Sequence, residues 1–332
     1  MTELAAAPAA APPRRRKMAL AWLLTAAFVA TLVSQVDLRG AWHHVITADA
    51  LLLTLAFAVL AADRIFQAAK WYPLATLQAP DLRLWPSIRA YHAAFAASFL
   101  LPASIGGDVL RAMALGRARN AVAEIGASIA MERVLGLTAL VIANLAAVLI
   151  AFPPTHHLRS FRLWALSLVA LGLGALLASL SHPIRARMRA WARRGASSRW
   201  VRGISRFGRA YTVYRNHPGT MLGVLLLSLL ETGLVVVIMW ILGLAINSAI
   251  TLRMLLVVTP ITLVLYRLPI TIWGLGIAEG GFAFLLDELY GIAVAEAVAL
   301  SLLFRVLELC VALPGALLWR DLVGLRPRAS EP

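Results

Sequence analysis

Long uninterrupted apolar runs constrain this chain more than any other feature. They fall at about 18–36, 48–70, 121–151, 161–181, 219–246 and 293–319, and each reaches the roughly 18–20 residues that a helix needs to cross a bilayer. A membrane β-barrel would instead alternate apolar and polar residues over segments of about ten. The expected fold class is therefore all-α, a polytopic integral membrane helical bundle. Composition agrees, with 61% hydrophobic and 14% charged residues against roughly 45–50% apolar in an ordinary soluble domain. The single cysteine, Cys310, lies in an apolar run, so neither an intrachain disulfide nor a cysteine metal cluster is expected. No cofactor is implied.

The charge balance, 31 Lys+Arg against 16 Asp+Glu for a net +15, would point to nucleic acid in a soluble protein. Here the basic residues sit between apolar runs, where positive-inside topology and anionic lipid headgroups account for them without nucleic acid. Arg14 to Lys17, then Arg64, Lys70, Arg83 and Arg89, then the 185–215 stretch, and finally Arg320, Arg326 and Arg328 mark one side as cytoplasmic. Both termini then lie inside, and the run Met18–Val36 reads as an uncleaved signal anchor. In the 185–215 stretch, Trp200, Ile204, Phe207, Tyr211 and Tyr214 share one helical face and Arg199, Arg202, Arg206 and Arg209 the other. That spacing predicts a basic amphipathic helix at the headgroups. The expected layout is a cytoplasmic N-terminus (1–17), a first membrane repeat (18–181), an amphipathic connector (182–218), a second repeat core (219–320) and a cytoplasmic tail (321–332).

Two interrupted regions, 88–118 and 252–290, belong to an internal repeat. Ala121-Val122-Ala123-Glu124 recurs as Ala293-Val294-Ala295-Glu296, and after eight intervening residues Arg133-Val134-Leu135-Gly136-Leu137 recurs as Arg305-Val306-Leu307-Glu308-Leu309. Upstream of each copy sits a breaker motif: Leu101-Pro102 with Gly106-Gly107-Asp108, and Leu268-Pro269 with Gly274, Gly276 and Glu279. Pro lacks an N–H and Gly tolerates positive φ, so both break helices and free backbone groups that cannot face lipid. Counting spans between the copies predicts inverted repeats, each with a re-entrant broken-helix hairpin, a pattern that marks transporter sites near the bilayer midplane. Half-helix N-termini after Gly107 and Gly276 would offer N–H groups to a phosphate.

Charged residues at membrane depth cost on the order of 2.5–3.5 kcal/mol on insertion scales unless paired or hydrated. The candidates are Arg111, Glu132, Arg133, Glu231, Arg267, Glu279, Glu296 and Arg305, with Asp108 at the Gly-Gly turn. Arg133 and Arg305 are expected to bind a headgroup phosphate, supported by Arg111 and by the Gly106, Gly107, Gly274 and Gly276 backbone. Asp108, Glu124, Glu132, Glu279 and Glu296 would hold these guanidiniums or relay protons, with purely structural ion pairing as the alternative. The Ala93, Ala94, Ala96, Ala97, Ser98 stripe lets a neighbouring helix approach. The pairs His43-His44 and His156-His157 lack further ligands, so no metal is expected.

Pro102, Gly106-Gly107-Asp108, Arg111 and Glu132-Arg133, with Pro269, Gly274, Gly276, Glu279 and Arg305, make the chain resemble the flippase-like family named after the transmembrane region of lysylphosphatidylglycerol synthase. The likeness runs from about residue 18 to 320. It implies a membrane part that moves lipids between leaflets; the two-domain members carry a further aminoacyl-transferase domain that is not seen before Pro332, so lipid synthesis is not expected. Stand-alone relatives include proteins associated with hopanoid biosynthesis. The leading expectation is a non-enzymatic lipid flippase or transporter of the bacterial inner membrane, its partners membrane lipids with anionic or phosphate-bearing headgroups. A membrane-embedded enzyme of lipid-phosphate or glycolipid metabolism, and a non-catalytic subunit of a lipid-biosynthesis complex, are the alternatives. A homodimer and lipid-biosynthesis enzymes are the protein partners considered.

Overall fold

A computed structural model describes residues 22–31, 34, 38–99, 105–150, 166, 167, 170, 206, 208–267, 271 and 274–318. Among these every regular element is helical. In chain order they are α1 (Trp22–Thr31), α2 (Leu38–Ile46), α3 (Ala50–Thr76), α4 (Leu84–Ser98), α5 (Ile105–Gly116), α6 (Val122–Ile150), α7 (Pro218–Ala245), α8 (Leu252–Arg267), α9 (Ile277–Tyr290) and α10 (Val294–Leu317). Helices α3, α6, α7 and α10 are long and apolar enough to cross a membrane. The expected span at 161–181 lies almost wholly outside the described residues, as do Pro102 and Pro269.

Local sequence sets the helix ends. Asp49 caps α3, its carboxylate accepting from the Leu51 and Leu52 N–H groups at 2.8 and 3.0 Å, which satisfies two of the donors that a helix start leaves free. Pro218 begins α7 at a position where its missing N–H costs nothing. Gly291, at φ +67°, ends α9 in the left-handed conformation.

The two interrupted regions form paired helices of 15 and 12 residues (α4, α5) and of 16 and 14 residues (α8, α9). At 1.5 Å per residue each is shorter than a bilayer's hydrocarbon core of about 30 Å. Around them the long helices pack on both pairs. Helix α4 packs on α5 and on α10, while its counterpart α8 packs on α9 and on α6; α3 and its counterpart α7 pack on each other at the centre. One buried apolar cluster, with Leu60, Leu242, Leu255 and Leu286, joins α3, α7, α8, α9 and α10; another, around Trp71, Ile125 and Met131, joins α3 to α6.

Apolar side chains also cover the outside. Leu222, Leu226 and Leu230 on α7, and Val306, Leu309, Leu313 and Leu317 on α10, are all exposed at helical spacing along one face. Water would not tolerate such stripes, so lipid is their solvent. This is a multi-pass membrane protein.

Some sequence expectations change here. Arg64 and Lys70, read as cytoplasmic loop charges, lie within α3 and are buried; a charge near a span's end looks like a flank when its partners come from distant helices. Of the amphipathic connector, only Arg206 and the residues from 208 onward are described. Tyr214, expected at the membrane surface, is fully buried and donates its hydroxyl to the Leu74 carbonyl at 3.0 Å.

The small-residue stripe of α4 receives two helices. A Cβ on Gly107 of α5 would lie 2.5 Å from the Ala94 carbonyl oxygen, and one on Gly315 of α10 would collide with the His92 carbonyl. Neither contact is with a flexible side chain, so neither relaxes easily. Gly107→Ala is expected to destabilise the protein by about 1–3 kcal/mol through overpacking. Gly223→Ala, at a site with nothing within 4 Å, should be neutral or stabilising because Ala is the better helix former. Thermal unfolding of both variants in detergent checks the contrast.

Candidate functional site

Between the two halves, α3 to α8 and α10 line a partly open cavity of about 180 Å³. Its wall is unusually charged for a membrane interior: Arg64, Lys70, Arg111, Arg133 and Arg267 face it together with Asp108, Glu132, Glu231 and Glu308. An isolated charge in such surroundings costs several kcal/mol, so partners decide what is possible.

On the first-half side, Arg111 from α5 bonds Glu132 from α6 at 2.7 Å and approaches Asp108 at 3.5 Å. Its guanidinium is stacked between Trp71 and Tyr91, 4.3 and 4.5 Å from their ring centres, where cation–π attraction adds to the ion pair. Trp71 is fixed in turn by donating its ring N–H to Ser128 at 3.1 Å. Asp108 also holds Arg133 at 2.9 Å. Of the two arginines, Arg133 is the accessible one, its side chain 40% exposed against 3% for Arg111. Opposite them, Lys70 of α3 is paired with Glu231 of α7.

The second half builds the matching pair. Glu279 of α9 binds Arg305 of α10 at 2.5 Å, as Asp108 of α5 binds Arg133 of α6. Arg305 stacks over Tyr266 at 4.5 Å and reaches Glu308 at 3.6 Å. Glu308 also meets Arg64 at 3.7 Å, and Arg64 meets Asp63 at 3.2 Å. Asp63 further accepts from Gln67, which accepts from Tyr91. Three carboxylates thus share two guanidiniums along Asp63, Arg64, Glu308, Arg305 and Glu279. Arg305 and Glu279 line a smaller, mainly apolar cavity of about 50 Å³ beside the first, with Tyr266 and Phe304 in the walls of both.

The structure therefore gathers Gly107, Asp108, Arg111, Glu132 and Arg133 at the main cavity, and places Arg305 and Glu279 one layer behind it. Glu124 and Glu296 line neither cavity. Each tethers a peripheral segment instead: Glu124 pairs with Arg206 of the connector at 2.9 Å, and Glu296 accepts from Ser248 and from the Ala249 N–H. The α9 start is occupied by the protein itself. Gly276, at φ +81°, donates its N–H to Glu279 at 2.7 Å, so a carboxylate of the chain stands where a phosphate was expected. Gly274, at φ +68°, turns the backbone against Tyr266; both glycines hold conformations that other residues rarely adopt. Gly106 and Gly107 lie in the first turn of α5, beside Asp108.

Sequence reasoning missed Asp63, Gln67, Tyr91 and Tyr266, and misplaced Arg64 and Lys70. Asp63 beside Arg64 within an otherwise apolar run was the available signal. Glu308 was visible inside the repeat window, aligned with Gly136.

An ion-lined cavity between lipid-facing helices defines a membrane protein that hosts polar groups within its span. Residues 18–315 match the family of the lysylphosphatidylglycerol synthase transmembrane region, and the chain belongs to that family. No curated protein and no solved structure gave a match.

Removing one partner from a buried pair leaves the other charge stranded. Glu279→Gln is expected to cost about 3–5 kcal/mol, since Glu279 is 2% exposed and serves both Arg305 and the Gly276 N–H. Glu124→Gln, whose partner Arg206 has a side chain 47% exposed, should cost at most about 1 kcal/mol because solvent screens the pair. Denaturation of the two variants in mixed micelles measures the difference.

Proposed function

We propose that this chain is a lipid flippase or transporter of the bacterial inner membrane, moving a phospholipid or other envelope lipid between leaflets. The observation that carries the reading is the charged cavity between the two halves, at a depth where charge persists only if it is paired or serves a polar guest. At about 180 Å³ it is smaller than the roughly 300–1,000 Å³ of a drug-sized pocket. It suits a headgroup whose acyl chains remain in lipid.

The family supports a lipid-related role. The architecture supports alternating access: interrupted helix pairs, α4–α5 and α8–α9, occur in both halves, α4, α5 and α8 line the cavity, and rocking of one repeat against the other is how folds of this plan move a substrate. In this reading the pairs are re-entrant, the repeats are inverted, and both termini are cytoplasmic. Arg133 is the headgroup contact, because it faces the cavity and its side chain is 40% exposed. Arg111 and Arg305, buried and engaged on several sides, shape and fasten the site.

Reconstitution tests the function directly. Vesicles containing the protein and an NBD-labelled phospholipid should lose more fluorescence to external dithionite than protein-free vesicles, whose inner leaflet stays protected. Equal protection in both would overturn the proposal. Arg133→Gln should slow the transfer about tenfold or more, as expected for losing one charge-assisted hydrogen bond of about 1.5–3 kcal/mol, with an unfolding midpoint lowered less than that of Glu279→Gln. Orientation is read separately: in a Cys310→Ser background, single cysteines at Ala103 and Ile270 should react with impermeant maleimide from opposite sides. Labelling from the same side would end the inverted-repeat reading.

A further inference from the structure

Arg267 differs from every other cation of the main cavity. Arg64, Lys70, Arg111 and Arg133 each have a carboxylate partner within the wall. Arg267, the last residue of α8, lines the same cavity, yet among the described residues it makes no hydrogen bond and no ion pair within 4 Å; Glu231, already bonded to Lys70, acts on it only at longer range. Its guanidinium rests on Gly136 of α6, where a Cβ would lie 2.9 Å from Nη1 and 3.6 Å from Nη2.

The internal repeat explains why that place is bare. Gly136 occupies the position three residues after Arg133 that Glu308 occupies after Arg305. In the second half this position supplies a carboxylate, and Arg64 comes to meet it at 3.7 Å. In the first half the carboxylate is replaced by hydrogen, and a guanidinium still arrives. The cavity wall consequently has five basic side chains against four acidic ones. Charge elsewhere in the bundle offsets this at long range, but distant charge does not satisfy N–H donors; they need an oxygen within hydrogen-bond distance.

We infer that Arg267, seated on Gly136, is the receptor for an anionic phosphodiester headgroup, whose oxygen takes the place that Glu308 fills in the other half. The lipid source of that anion rests on the transport reading above. A guanidinium suits the role because its planar fork binds phosphate oxygens in pairs, and Arg133 faces the same space as a second contact. The net positive wall favours a headgroup of net negative charge over a zwitterion.

Binding to the full chain in detergent, followed by titration calorimetry, tests the site with three probes: dihexanoyl phosphatidylglycerol, dihexanoyl phosphatidylcholine and inorganic phosphate. Phosphatidylglycerol should bind, and Arg267→Gln should weaken it about tenfold or more, the loss of a charge-assisted bidentate contact. Arg267→Lys should recover part of the affinity. Gly136→Glu should abolish binding by supplying an internal carboxylate, whereas Gly136→Ala should weaken it only several-fold. Arg267→Gln should also hold or raise the unfolding midpoint of the unliganded protein, unlike loss of a paired arginine. Wild-type affinity in a folded Arg267→Gln protein would overturn the assignment, leaving water as the only occupant of those donors. Equal affinity for phosphatidylcholine would overturn the net-charge argument, and inorganic phosphate binding as tightly as the lipid would move the site to a free anion. A wild-type protein that binds the probe yet transfers no lipid removes the transport reading and leaves the anion site in place. Transfer that persists while Arg267→Gln changes no affinity does the reverse.

Discussion

Charge buried among lipid-facing helices is the constraint on which the rest of this structure depends. Arg64, Lys70, Arg111, Arg133 and Arg305 each pair with a carboxylate from a different helix, and these choices decide which helices meet. Lys70 and Glu231 join the central pair α3 and α7. Arg111 and Glu132 join α5 to α6, and Arg305 and Glu279 join α10 to α9. Arg64 reaches from α3 to Glu308 on α10, across the boundary between the halves. Apolar packing gives little direction to helices already dissolved in hydrocarbon, whereas a stranded charge there costs several kcal/mol. The ion pairs are therefore the specific part of the assembly, and the alanine and glycine contacts of α4 fix its closeness.

Similar ion pairs recur in the two halves, and the halves differ at an aligned position three residues beyond the arginine. The Asp108–Arg133 and Glu279–Arg305 pairs are counterparts that fasten each broken helix pair to the long helix after it. Glu124 and Glu296 are counterparts as well, each holding a peripheral segment at the first turn of that helix. The departure falls at Gly136 and Glu308. At Glu308 the position supplies a carboxylate that Arg64 meets, and at Gly136 it supplies only hydrogen beneath the Arg267 guanidinium.

Much of this frame was legible in the sequence. The recurrence of Glu and Arg at fixed separation, among residues otherwise Ala and Leu, drew attention to Arg133 and Arg305, and each pairs with an acid of the short helix before it. The partners of Arg64 and Lys70 were not legible. Glu231 lies 161 residues from Lys70, and only the fold brings them together, so two interior charges read as loop flanks. The starts of the short helices were misjudged for a related reason. An acid three residues after Gly276 reads equally well as a ligand for arginine or as a cap for its own backbone, and Glu279 is both. Asp63 and Tyr91 had no repeat to draw attention to them.

The contact between Phe28 and Gly276 has a mechanical meaning. The backbone of α1 passes so near Gly276 that a side chain there would strike both Phe28 Cβ and its carbonyl carbon. The N-terminal helix and the start of α9 therefore meet so closely that only a residue without a side chain fits at 276. Any side chain at 276 would wedge α1 away from α9, so this glycine decides whether the N-terminal helix can dock at all.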